Sequence, residues 1–285
     1  MQKELESLKI AAAKIVSDEA GQPPPPVVYH YASLDVAVKI LDTFEMWCTN
    51  VAFSTDTSEG VHGESVIGGV CTADPDLLMR GARELVAEEI DGYATCFSVD
   101  ADEVTKWQTY GANGTGVAIG FDVDVLSKRA NVAFCRVEYD ESRQKKLVKK
   151  LLDLFRGRMR SAKSRPPRLR RLAYVLTLSF VVLRARMKHD SYSVEREYRL
   201  LDALPKDEKL HDAKLAYFKR GDRLVPFFRV NLRDSSAEGA AQPVREVWIG
   251  PCLDFATAET AIKNTVAYGT RSFPVVRSQV AMPCD

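Results

Sequence analysis

The chain has 285 residues, 46% of them hydrophobic and 28% charged, a balance that permits a sizeable buried core and excludes a disordered or fibrous chain. Its net charge of +1 hides a strong asymmetry. Between Arg143 and Arg171 stand thirteen basic residues and one acid, Asp153, so the rest of the sequence is net acidic.

The six cysteines contain no Cys-x-x-Cys and the four histidines are dispersed, so no zinc-ligand spacing appears. A reduced, cytoplasmic protein without metal is the expectation. The charged residues of Met1 to Gly21 do not form the apolar run of a signal peptide. The longest apolar stretch, Leu172 to Leu183, is shorter than the roughly 20 residues a membrane span needs. No targeting or membrane segment is expected.

In chain order, Lys3 to Glu19 carries Leu5, Leu8, Ala12, Ile15 and Val16 at helical spacing, and Gly21 with the prolines 23–26 ends that helix. The N-terminal unit is therefore 1–26, a helix and a stiff tether, followed by one domain over 27–285. Strands are predicted at Val27–Tyr31 and Met46–Ala52, with a helix from Leu34 to Glu45 capped by Ser33. Asp74-Pro75 opens a helix running to Ile90. A strand at Ala94–Val99 and a short helix at Glu103–Tyr110 follow, then strands at Gly116–Phe121 and Val132–Tyr139.

The basic helical segment occupies 141–187 and breaks at Pro166-Pro167. Strands resume at Glu197–Ala203, Leu224–Val230 and Val244–Ile249, before a helix at Ala258–Ala267 and a strand near Val275–Val280. The order lacks regular βαβ alternation, so the fold class is α+β.

Three polar points interrupt apolar strands: His30, Ser98, and the pair Glu195 and Glu197 in Val194-Glu195-Arg196-Glu197-Tyr198-Arg199. In an extended strand the two carboxylates project from one face about 7 Å apart, with Arg196 opposite. The competing reading is an exposed strand salt-bridged through Arg196 and Arg199. Gly111-Ala112-Asn113-Gly114-Thr115-Gly116 fits neither a Rossmann nor a P-loop pattern and reads as a tight turn into the next strand. The basic run has two readings. Leu147, Leu151, Leu154 and Phe155 would bury one face of a solvated helix, or its cations would neutralise nucleic-acid phosphates.

Taken together and in order, Tyr29-His30-Tyr31-Ala32-Ser33-Leu34, Cys96-Phe97-Ser98, Trp107 to Tyr110, Gly116 to Phe121, Glu195 to Arg199 and Val247-Trp248-Ile249-Gly250-Pro251 resemble the domain-of-unknown-function 2971 family. That family looks like a branch of the ADP-ribosyltransferase superfamily, whose members split NAD and pass ADP-ribose to an acceptor, many of them as bacterial toxins or antiphage effectors. The segment Phe53 to Glu59 matches the family's loop only loosely, and Asn113-Gly114 stands where a histidine is common.

The resemblance implies a mixed, mainly antiparallel split sheet flanked by helices, with the N-terminal helix and the basic helical segment added. It implies NAD as substrate, with no metal. His30 would hold the ribose or nicotinamide amide, and Ser98 would support the nicotinamide pocket. Tyr31 and Tyr110 would stack, Glu197 would bind the nicotinamide-ribose 2′-hydroxyl, and Glu195 would face the acceptor. The acceptor is expected to be a protein or a nucleic acid, the latter bound through 143–171, and an antitoxin or regulatory partner is a further expectation. The rival expectations are an NAD glycohydrolase and a catalytically silent nucleic-acid or protein-binding module.

Overall fold

A computed structural model describes residues 2–18, 23–54, 59–81, 90–206, 215–233, 242–266 and 273–284. The architecture is α+β. Among the described residues ten strands form one sheet: β1 (Val27–Ser33), β2 (Glu45–Asn50), β3 (Ile90–Ser98), β4 (Gly116–Asp122), β5 (Ala133–Arg136), β6 (Glu197–Pro205), β7 (Leu215–Arg220), β8 (Arg223–Asn231), β9 (Val244–Ile249) and β10 (Val275–Arg277). Their order is β10-β9-β4-β1-β3-β2-β8-β7, with β6 on β3 and β5 on β6. These strands pair antiparallel except β10 on β9.

The sheet forks at β3. Strand β6 runs along one edge of β3 from Ile90↔Pro205 to Ser98↔Glu197. The other edge is shared, with β2 at Tyr93 and Ala94 and β1 at Ser98. Between those contacts β1 leaves β3 and continues along β4.

One face of the sheet carries α2 (Leu34–Thr43), α6 (Val123–Arg129) and α9 (Phe255–Val266), which enclose a core with Val28, Phe97, Phe121, Tyr198 and Val230. A second core lies among α1 (Gln2–Val16), α3 (Glu59–Thr72), α4 (Leu77–Gly81), α7 (Glu141–Ser161) and α8 (Pro166–Arg186), the last packing on β3 and β6. Leu8, Ala12 and Val16 of α1 are buried there, so this helix docks on its own chain. Arg186 fastens its end by donating to the carbonyls of Val16 and Asp18.

The basic helices follow their apolar pattern: Leu147, Leu151 and Phe155 are buried and Leu154 packs against them. Cations of this segment lie in ion pairs, among them Arg143 with Glu138, Lys145 with Glu141, Lys150 with Asp18, Arg156 with Asp74, Arg160 with Asp76, and Arg168 with Glu4.

Several local expectations need correction. The helix expected from Asp74 starts at Leu77, and the run 82–89 lies outside the described residues, as does 55–58 of the loop after Phe53. Ser33 does not cap α2 with its side chain; its hydroxyl donates to Asp35 Oδ1 at 2.5 Å. Helix α3 was not anticipated because its glycines lower intrinsic helix propensity. Burial against α7 and α8 overrides that penalty, and a Cβ at Gly63 would stand 2.7 Å from the Arg184 carbonyl oxygen.

The expectation of fully reduced cysteines is also corrected, since Cys252 and Cys284 form a disulfide. Two cysteines 32 positions apart carry no pairing signal in the sequence, and folding alone brings them together. No helix among the described residues is long and apolar enough to cross a membrane.

Candidate functional site

Antiparallel partners share a face of a sheet, so the register Tyr29↔Ser98↔Glu197 lays these three residues in one row across β1, β3 and β6. The fork opens a cleft beside that row. Its cavity volume is about 80 Å³, well below the roughly 300–1,000 Å³ of clefts that enclose a small molecule, and it opens to solvent. Tyr29, His30, Tyr31, Cys96, Phe97, Ser98, Lys106, Tyr110 and Glu197 line it. His30, Tyr31, Ser98, Tyr110 and Glu197, distant in sequence, thus meet at one place.

His30 Nδ1 lies 2.9 Å from the Cys96 carbonyl oxygen, an atom on the edge of β3 where β1 has parted from it. A carbonyl only accepts, so Nδ1 carries the hydrogen, and Nε2 of the neutral ring is an acceptor. Packing around the ring holds its pKa below the usual histidine value, which keeps it neutral, with the Cys96 hydrogen bond opposing. Ser98 is buried, and its Oγ accepts from the Asp100 amide at 3.1 Å. The hydroxyl therefore shapes the turn after β3 as well as the cleft floor.

Tyr31 packs edge-on against Trp107, 4.8 Å between centroids, and donates to the Asp100 carbonyl at 3.0 Å. Tyr110 is the more available ring, 43% exposed, with Lys106 Nζ 5.4 Å from its centroid. Desolvation, followed by the charges of Glu195 and Glu197, raises the Tyr110 pKa and keeps its hydroxyl protonated.

Helix α5 (Val104–Thr109) carries Lys106 and leads into Tyr110, and the C-terminal segment holds it in place. Asp102 accepts from Trp107 Nε1 at 2.7 Å, from Ser278 Oγ at 2.6 Å and from the Gln279 amide at 2.7 Å. The Gly111–Gly116 stretch is a turn into β4, as its sequence predicts, with Gly114 at φ +82°. A Cβ on Gly114 would meet Met282 Sδ at 2.8 Å and Cys252 Sγ at 3.0 Å.

The two glutamates differ from their sequence reading. Glu195 ends a 3-10 turn (Asp190–Glu195), Arg196 adopts the left-handed conformation at φ +48°, and β6 begins only at Glu197. The pair is therefore not a strand dipeptide with alternating faces. It is joined instead by Lys188, whose Nζ lies 2.5 Å from Glu195 Oε2 and 3.0 Å from Glu197 Oε2. Arg199 Nη2 approaches the same Glu197 oxygen at 2.8 Å, and its Nη1 donates to the Ala185 carbonyl at 2.6 Å.

Glu197 and the two cations at its Oε2, Lys188 and Arg199, are buried. Burial pushes the Glu197 pKa up, but Arg199 and Lys188 together overcome it and bring the value down to about 2. The exposed-strand reading is thus half right. Arg199 does pair with Glu197, but in the interior, whereas Arg196 reaches Asp100 at 3.4 Å.

Lys188, Arg199 and Lys106 are site residues that the sequence reading missed. Arg199 was legible as the i+2 neighbour of Glu197 on one strand face. Lys188 was not, because its position depends on the segment after α8. There the Lys188 amide donates to the Glu138 carbonyl at 3.2 Å, and Gln144 Nε2 donates to the Lys188 carbonyl at 2.8 Å. Among the described residues, no three His, Cys, Asp or Glu side chains are grouped to hold a metal ion.

The fold and site define an α+β protein with an ionic cleft at the fork of an open, mostly antiparallel sheet. Residues 106–200 match the model of a family described as Protein of unknown function (DUF2971), and over that third of the chain the protein is similar to the family. The matched segment carries Lys106, Tyr110, Lys188, Glu195, Glu197 and Arg199; His30, Tyr31 and Ser98 lie before it. No curated protein and no solved structure matches the chain.

Proposed function

We propose that the cleft binds NAD, breaks its nicotinamide–ribose bond and passes ADP-ribose to a macromolecular acceptor. The observation that carries this reading is the convergence of His30, Ser98, Tyr110 and Glu197 where β1 parts from β3. His30 Nε2 accepts a hydrogen bond from the ligand's amide or hydroxyl, and the Tyr110 ring stacks on the flat nicotinamide. Glu197, held ionised and oriented by Lys188 and Arg199, accepts from a ribose hydroxyl.

The bond's electron pair leaves with nicotinamide, and the ribosyl centre becomes oxocarbenium-like. Fixed acceptors beside that centre stabilise charge that develops only in the transition state. The acceptor's nucleophile then bonds to the ribosyl carbon, and its proton passes to Glu195 or to water.

The 2.5 Å contact between Lys188 and Glu195 favours a second reading, in which water is the acceptor and the protein is an NAD glycohydrolase. A carboxylate already engaged by an ammonium is a weaker base for a macromolecule's nucleophile. Incubating the full chain with labelled NAD, with and without a cell lysate, separates the two. Released nicotinamide with label on macromolecules supports transfer, release with free ADP-ribose supports hydrolysis, and NAD left intact and unbound sinks both.

A further inference from the structure

On the sheet formed by β2, β8 and β7, register places Trp47 opposite Arg229, Ala216 opposite Phe227, Phe218 opposite Val225, and Arg220 opposite Arg223. These residues share the face turned away from the main core, which takes Met46, Cys48, Phe228 and Val230 from the other side. Trp47 stacks on Phe227, 4.1 Å between centroids and 24° between planes, and Phe218 packs 5.7 Å from Trp47. Arg229 lies over Phe227 at 5.3 Å and Arg220 over Phe218 at 5.1 Å.

Arg220, Arg223 and Arg229 are exposed; Glu45 lies 3.4 Å from Arg229, and exposed Asp222 stands in the turn between Arg220 and Arg223. We infer that this face binds single-stranded nucleic acid. Arginines lying over rings present guanidinium groups for phosphates, Arg220 also donating to the Phe53 carbonyl at 3.3 Å, while Trp47 and Phe218, partly exposed beside buried Phe227 and Val225, offer ring surface for bases. The choice of a single strand follows from that pairing, because a duplex hides the base faces that aromatic rings would stack on.

The surface reaches the cleft. Thr49↔Ala94 fixes the register of β2 on β3, and Thr95 Oγ1 donates to the Trp47 carbonyl at 2.7 Å. Two residues on from that pair, Trp47 and cleft-lining Cys96 fall on the same face of neighbouring strands. The binding inference goes beyond the NAD reading, and its test contains no NAD.

The test titrates the full chain into fluorescein-labelled oligothymidylate and oligouridylate of about 16 nucleotides, at several salt concentrations. Anisotropy should report binding that weakens with salt, and tryptophan emission should be quenched in the wild type but not in Trp47→Phe. In the double variant Arg220→Glu/Arg229→Glu, affinity should drop about tenfold or more. The slope of log K against log salt should shrink by about 1.4, at about 0.7 per phosphate contact.

Three results would overturn the inference: no binding at low salt, equal binding and no quenching with a duplex of the same length, or loss of binding in Lys146→Glu/Lys149→Glu on α7 with the sheet variant unaffected. If circular dichroism shows the double variant unfolded, Arg223→Glu at the hairpin turn carries the same expectation at half the slope change, and unchanged binding there overturns it.

Discussion

The cleft and the basic helical layer are both held by ion pairs, and they differ in how much water reaches those pairs. Lys188 and Glu197 have side chains 2% and 5% exposed, whereas Lys145 and Glu141 on α7 are 50% and 56% exposed. A buried charge that loses its partner stays desolvated, which costs about 3–5 kcal/mol, while an exposed pair contributes about 0–1 kcal/mol. Charge density along a sequence is thus a poor guide to where charge matters. Cations of the basic run tie α7 and α8 to neighbouring segments at the surface, whereas Lys106, Lys188 and Arg199, scattered in sequence, stand at the cleft or on its Glu197.

The sharpest way to break this contrast is Glu197→Gln, which keeps shape but leaves Arg199 and Lys188 facing a neutral amide. Unfolding by urea should show a loss of about 3 kcal/mol or more, and nicotinamide release should collapse. Adding Arg199→Met should recover part of the stability without recovering NAD cleavage. Recovery of both would mean that Glu197 serves only the fold. Glu195→Gln should be milder for stability, since that side chain is 20% exposed, and should depress transfer more than hydrolysis.

Acid should probe the cleft in two windows. His30 has a folded pKa below its unfolded value of about 6.5, so the unfolded chain binds the extra proton first and stability falls as pH drops below that value. Glu197 holds its contribution until pH passes below the unfolded carboxylate value of about 4.3, and loses it toward about 2. Urea midpoints measured between about pH 5 and 7 should therefore slope downward toward acid, and His30→Gln should flatten that slope. An unchanged slope would show that the ring is not held neutral by the fold.

The smallest effect belongs to the helical layer. Lys145→Ala should change stability by less than about 0.5 kcal/mol, and salt should erase the difference. A loss comparable to that of Glu197→Gln would remove the distinction between the two regions.

Much of this arrangement was readable before folding. Apolar runs marked β1, β3, β4, β8 and β9, β4 being buried along its whole length, and Pro166-Pro167 divided α7 from α8. His30, Ser98 and Glu197 stood out as polar groups in apolar strands, and the register places Ser98 directly between Tyr29 and Glu197. What stayed hidden was nonlocal or conformational. The positive φ of Arg196 cuts Glu195 out of the strand, and no residue-type preference signals it. Strand β7 was missed because among the described residues it pairs only with β8 and its residues alternate only weakly in burial. Lys188 owes its place to Glu138 and Gln144, some fifty residues upstream on another element.

The fork has a mechanical consequence. Between β1 and β3 the register consists of Tyr29↔Ser98, whereas β1 is zipped to β4 from Val27↔Asp122 through Ser33↔Gly116. The two wings of the sheet are therefore joined at this seam chiefly by the side chains beneath it, Val28, Phe97 and Phe121 among them. Wedging the seam apart strains packing but unzips no long ladder of backbone hydrogen bonds. A molecule lodged there acts as a strut between the wings, so its affinity and the cohesion of the whole sheet are two readings of one equilibrium.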